Sequence, residues 1–209
     1  GLLSLKEKKV FNSLIFLNSA GNIEYKYDKL HLVPFGEYVP FRKYINEIAN
    51  LFTPTEFSPG ILKENIALKG LGEILTLICY EILFNDEVLA RLSNNTNLLI
   101  NITNDAWFGK TVGPYQHLAL TKIKAVELGI PIARVANTGI SALISPYGEE
   151  TTIIPLYESG VKTVKSIVSL EDTMYKNHGR VIFIVSILFL IIINSIATIK
   201  SEREWKYEK

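Results

Sequence analysis

The 209-residue chain has one cysteine, one methionine, three histidines and a net charge of only +1. A single cysteine excludes an intrachain disulfide and leaves the redox compartment open. Near-neutral charge removes the basic surface that nucleic-acid binding needs, so no nucleic-acid partner is expected. His31, His117 and His178 fall in no recognisable Cys/His signature. Neither a metal nor a cofactor is expected. The chain opens on Gly1, its only methionine is Met174, and no signal peptide is read at its start. The expectation is that further residues precede it.

Apolar residues are plentiful: 48% of the chain, with a mean hydropathy of +0.20. The excess has a location. "VIFIVSILFLIIINSIATI", 181–199, carries no charge and is about long enough to cross ~30 Å of hydrocarbon as a helix. It is apolar all the way round, which argues against a core helix. Asn194 and Ser195 within it call for hydrogen-bonding partners on other helices. Lys200, Arg203, Lys206 and Lys209 follow the span, so the short tail 200–209 is expected to be cytoplasmic.

Upstream, the pattern is α/β. "NSLIFLNSAGNIEYKYDK", 12–29, reads as two strands around a turn. Residues 30–40 form a loop, 41–52 a short amphipathic helix, and 53–60 another loop. Residues 66–69 and 73–78 read as strands. A helix opens at Asn85, Asp86 and Glu87, a cap followed by acids that suit the helix dipole. Residues 97–103 read as a buried strand, 104–114 as a loop, and 115–129 as a helix ended by Gly129 and Pro131. "PIARVAN", "SALISPYG", "TTIIPLY" and "VKTVKSIVSL" read as strands. Strands alternating with helices make a layered α/β domain. Its last strand leads into the span, which would bring the active face near a bilayer.

The lone Cys79 sits where the apolar run "LTLI" stops and a helix is about to start. Helix N-termini and nearby cations favour a thiolate nucleophile at such a junction. The usual role of a lone cysteine is a small buried hydrophobe, but polar groups gather close to this one in sequence. Lys29 and Glu37, eight residues apart in "YDKLHLVPFGEYVP", could serve it. Two prolines stiffen that loop, and Gly36 is expected to make the tight turn before the carboxylate. In "NDAWFG", Trp107 and Phe108 fit an apolar substrate groove or a membrane interface. His117, on the helix beyond, reads as structural.

The stretches "YDKLHLVPFGEYVP", "ICYEILF" and "GPYQHLALTKIKAVELGIPIARVANTGISALISPYG" resemble the nitrilase-like domain of the apolipoprotein N-acyltransferase family, over roughly residues 10–199. The resemblance implies a four-layer αββα sandwich over residues 1–175, incomplete at its N-terminal end. One transmembrane helix at 181–199 and the tail follow. It implies functional roles for Lys29, Glu37, Cys79, Tyr80 and Glu81. Cys79 would take an acyl chain from a phospholipid as a thioester and pass it to the α-amine of a diacylglyceryl cysteine on a lipoprotein. Lys29 would stabilise the oxyanion, Glu37 would orient Lys29, and Tyr80 and Glu81 would shape the oxyanion pocket. The implied location is the bacterial inner membrane, with the catalytic domain on the periplasmic side. The family's general-base glutamate stands in a Trp-Pro-Glu setting before the lysine. Here only Glu7 and Glu24 precede Lys29, and neither has that setting. The base is therefore expected upstream, and the chain alone is expected to be inactive. Two alternatives stay open: a membrane-anchored amidase or other hydrolase of the nitrilase superfamily, and a non-catalytic membrane-anchored domain.

Overall fold

A computed structural model describes residues 1–44, 55–68, 70–164 and 168–207. They divide into two compact units, Gly1–Leu170 and Glu171–Lys209.

Two sheets build the first unit. β1 (Leu2–Lys6), β2 (Lys9–Leu17) and β3 (Ile23–Asp28) form an antiparallel three-stranded sheet. β4 (Ile66–Leu68), β5 (Gly72–Ile78), β6 (Thr96–Asn104), β7 (Ile132–Asn137), β8 (Ser141–Ile144) and β9 (Glu150–Ile154) form a six-stranded sheet in sequence order. β5, β6 and β7 run parallel, and the other pairs run antiparallel. The parallel strands are rich in apolar residues because both of their faces are covered. Leu75, Leu77 and Leu99 pack with Val88 of α1 (Asn85–Arg91) and with Leu118, Ala125 and Leu128 of α2 (Gly113–Leu128). Ile78, Ile100 and Ile102 pack the other way, against Leu14 and Tyr27 of the three-stranded sheet. The alternation of strand side chains thus sets the order helices, large sheet, small sheet. α2 ends as expected, with Gly129 in the left-handed region at φ 67°.

Three expectations are corrected. No strand is read before residue 12 from the sequence, yet β1 forms at Leu2–Lys6. Glu7 and Lys8 turn it back at φ 50° and 64°. A two-residue turn with both φ positive normally announces itself as Asn-Gly, and Glu-Lys does not. Residues 161–164 and 168–170 of the expected last strand are irregular. The tight turn before Glu37 is made by Phe35, at φ 62°, and not by Gly36. The helix expected over 41–52 lies largely outside the described residues. Arg42–Tyr44 is a single 3₁₀ turn.

The second unit is dominated by α3 (Met174–Tyr207). Its Met174–Lys200 portion has a mean hydropathy of 2.7 over its most apolar window, and none of that window is buried. At 1.5 Å per residue it is long enough and apolar enough to cross a bilayer. Ser195 needs no second helix, since its hydroxyl donates to Ile191 O at 2.9 Å within α3.

Candidate active site

The C-terminal ends of the parallel strands, where open α/β sheets bind ligands, gather the candidate site residues. Cys79 follows β5 directly and opens a 3₁₀ turn, Cys79–Leu83. Its φ is 57°. A side chain in that region costs about 1–2 kcal/mol, so the surroundings must hold the turn. Cys79 is partly buried and packs against the Leu14, Tyr27 and Ile78 cluster at the seam between the sheets.

Glu81 holds one side of this elbow. Its Oε2 accepts from Ile78 N at 2.7 Å. Its Oε1 accepts from Leu30 N at 2.7 Å, His31 N at 3.1 Å and the Tyr27 hydroxyl at 2.9 Å. One buried carboxylate therefore ties the residue before Cys79 to the segment just after Lys29. Burial pushes the Glu81 carboxyl above its ordinary value, and its four donors pull it back only in part. Tyr27, raised by burial and by Glu81, relays to Arg91, whose NH1 donates to the Tyr27 hydroxyl at 2.8 Å. Glu81 is thus a clamp, and its carboxylate oxygens point at backbone amides and a phenol.

Lys29 and Glu37 meet as the sequence suggests. Lys29 is 1% exposed, and its Nζ lies 2.7 Å from Glu37 Oε2. Val33 N and Asn12 Nδ2 also donate to Glu37, at 2.8 and 2.9 Å. A buried ammonium without such a partner would be strongly disfavoured. Gly60 allows the segment to pack here. Its N donates to Lys29 O, and a Cβ on it would lie 2.2 Å from Asp28 O. Tyr80 closes the group: its hydroxyl donates to Leu32 O at 2.6 Å, and Lys29 Nζ sits 5.1 Å from its ring centre. Burial and the Glu37 charge push the Tyr80 phenol up to about 12, so it stays protonated and donating at neutral pH.

Behind the elbow lies a buried polar cluster that sequence reasoning missed. Arg134 of β7 reaches Asp105 Oδ2 at 2.6 Å and Asn101 Oδ1 at 3.2 Å. His117 Nδ1 donates to Asp105 Oδ1 at 2.9 Å, so the structural reading of His117 agrees with its geometry. Burial alone would raise the Asp105 carboxyl. The hydrogen bond from His117 and the charge of Arg134 outweigh it, and the carboxyl lies below its ordinary 3.8. The stabilisation this provides is complete above the unfolded value and is lost as pH falls below about 3.8. Asp105→Asn, which strands Arg134 beside a neutral amide, should cost about 3–5 kcal/mol in denaturant titrations at pH 7. It should also remove this acid-linked step. The only signals in the sequence were a charge inside "PIARVAN" and an amide inside "NLLINIT".

Trp107 and Phe108 lie on a 3₁₀ turn, Asp105–Phe108, and both are exposed. Phe108 faces the His117 ring with centroids 6.0 Å apart. Glu7 and Glu24 are exposed as well, Glu7 in the β1–β2 turn and Glu24 on β3. Among the described residues no group of three or more His, Cys, Asp or Glu is arranged to hold a metal.

A buried lysine–carboxylate pair and a cysteine elbow on stacked sheets define a class. The carbon-nitrogen hydrolase model matches residues 1–167, and the chain belongs to that family. Within it, the chain is 41% identical over 175 residues to the apolipoprotein N-acyltransferase of Allorhizobium ampelinum, covering 82% of this chain and 33% of that protein. It is 43% identical over 155 residues to the protein of the same name from Rhizobium leguminosarum bv. trifolii, covering 73% of this chain and 29% of the relative. The chain thus spans about a third of the length of the curated relatives it matches. The fold is similar to that of a Saccharomyces cerevisiae member of branch 10 of the nitrilase superfamily. The TM-score is 0.58 at 20% identity, over 76% of this chain and 55% of that one.

Proposed function

We propose that this chain carries the nucleophile of an apolipoprotein N-acyltransferase. The observation that supports it most is the left-handed Cys79 elbow, clamped by Glu81 to the strand end that bears the buried Lys29–Glu37 pair. The names of the relatives favour acyl transfer among the reactions open to this family.

The Cys79 thiolate attacks the ester carbonyl of a phospholipid. The Lys29 ammonium, kept in place by Glu37, offsets the charge on the tetrahedral oxygen. Collapse breaks the ester C–O bond, and the departing lyso-phospholipid oxygen takes a proton. Cys79 is left as a thioester. The α-amine of a diacylglyceryl cysteine on a lipoprotein then attacks the thioester carbonyl, loses a proton to a base, and expels the thiolate. Amines attack thioesters readily, so one site serves two lipid substrates in turn.

The base is not one of the site's own carboxylates. Glu37 is committed to three donors and Glu81 to four. In this reading it is supplied from outside these 209 residues, and the chain alone is expected to transfer acyl slowly, by the roughly 10²–10⁴-fold that general-base assistance contributes. In the same reading α3 anchors the chain in the inner membrane, with the catalytic unit on the periplasmic side and 200–209 in the cytoplasm. Trp107 and Phe108 contact acyl chains.

The test is transfer from a labelled phospholipid to a diacylated lipopeptide. It uses a chimera with residues 1–199 in place of the matching segment of a full-length relative. Amide product is expected; release of free fatty acid alone would favour a hydrolase. Lys29→Arg in the chimera keeps the charge but replaces a compact ammonium by a broad planar group. Misplacement of that kind should reduce transfer on the order of 10²-fold. Undiminished transfer would return Lys29 to a structural role.

A further inference from the structure

The Cys79 carbonyl has a dedicated donor. Asn101 Nδ2 lies 2.9 Å from Cys79 O, and the Asn101 side chain is fully buried. We propose that Asn101, aimed by Arg134, is a positioning residue that pins the Cys79 carbonyl and thereby holds the turn from which the thiol is presented. This rests on Cys79 being the nucleophile of the proposed reaction.

The registers bring the parts together. Leu77 pairs with Asn101 across β5 and β6, and Asn101 with Arg134 across β6 and β7. The three therefore share one face of the sheet, and Asn101 lies one strand away from the elbow. Its amide orientation follows from chemistry. A guanidinium can only donate, so the oxygen of Asn101 must face Arg134 NH1, and the NH₂ must face the Cys79 carbonyl. Arg134 is itself held on several sides. Besides Asp105, it reaches Thr121 Oγ1 and Ile140 O, each at 3.3 Å. Asp105 is wedged beneath Gly139, where a Cβ would lie 2.2 Å from its Oδ2. Buried dipoles in series strengthen one another, so the cationic end of this chain is directed at the elbow.

Asn101 could instead serve only to satisfy Arg134. The two roles respond differently to Asn101→Asp. That change keeps the shape and offers Arg134 a better acceptor, but it removes the donor to Cys79 O and sets a carboxylate against the carbonyl. The experiment follows iodoacetamide alkylation of Cys79 by intact mass, as a function of pH, in the full 209-residue chain. Asn101→Leu is the second variant. Glu73→Gln is the control, because it loosens a hydrogen-bonded cluster with Asn65, Ser93 and Thr96 at the other end of β5. Asn101→Asp should alkylate about tenfold more slowly at pH 7, the scale of one lost hydrogen bond. Its rate profile should move to higher pH, and the control profile should stay in place. Profiles that superimpose on the parent, an equal change in the control, or loss of folding in both Asn101 variants would each overturn the proposal. Alkylation does not involve the acyl donor. A parent chain that alkylates as described but never takes an acyl group from phospholipid would sink the acyl-carrier reading and leave the positioning role standing.

Discussion

Cys79→Ser in the chimera should abolish acyl transfer, with a loss on the order of 10⁴-fold or more, as for other nucleophile deletions. The hydroxyl is nearly isosteric, and the elbow should fold as before. The difference is chemical. A thiolate is accessible near neutral pH and is intrinsically nucleophilic, whereas an alkoxide needs a strong adjacent base. Neither Lys29, an ammonium paired to Glu37, nor the four-donor Glu81 offers one. Far-ultraviolet circular dichroism and thermal melting should match the parent. A Cys79→Ser protein that keeps a tenth of the parent's transfer rate would remove Cys79 from the mechanism.

Glu81→Gln should be almost as damaging, by a different route. The new amide oxygen can still accept from Tyr27, Leu30 and His31. Its NH₂ must then face Ile78 N, donor against donor, immediately before Cys79. An unsatisfied buried amide costs about 1–3 kcal/mol. A shift of the elbow on the ångström scale costs roughly 10²-fold in rate. The stability effect has a distinctive pH dependence. Because the folded-state pKa of Glu81 is raised, its contribution is fully present below the unfolded value of 4.5 and is lost as pH rises through the folded value. Gln does not titrate. The melting-temperature gap between parent and variant should therefore narrow as pH rises above 4.5, while the activity gap stays wide. Parallel losses of stability and activity at every pH would contradict the clamp. Asp105 behaves with the opposite sign, because its pKa is depressed.

What could be read in advance was local. β5 and β6 are predominantly apolar stretches, and α2 ends in Gly129 and Pro131. Cys79, Lys29 and Glu37 stand in distinctive short stretches. What could not be read lay in cross-chain partners. Asn12 meets Glu37 across 25 residues, Arg91 meets Tyr27 across 64, and Asn101 meets Cys79 across 22. No periodicity or spacing announces a buried hydrogen bond between strands that become neighbours only in the sheet. The partners of Glu81 were illegible for the same reason. As a neighbour of Cys79 it suggests an oxyanion pocket, yet its carboxylate turns inward to Ile78, Leu30, His31 and Tyr27. The β1–β2 hairpin escaped notice because Glu7 and Lys8 adopt positive φ without a glycine or asparagine to mark it.

The most direct measurement is the intact mass of the chain after incubation with phospholipid in detergent, followed by peptide mapping and hydroxylamine treatment. The expected result is a slowly forming acyl adduct on the peptide containing Cys79, labile to hydroxylamine as a thioester and absent from Cys79→Ala. An adduct that persists in Cys79→Ala, or that maps to another residue, would contradict the account.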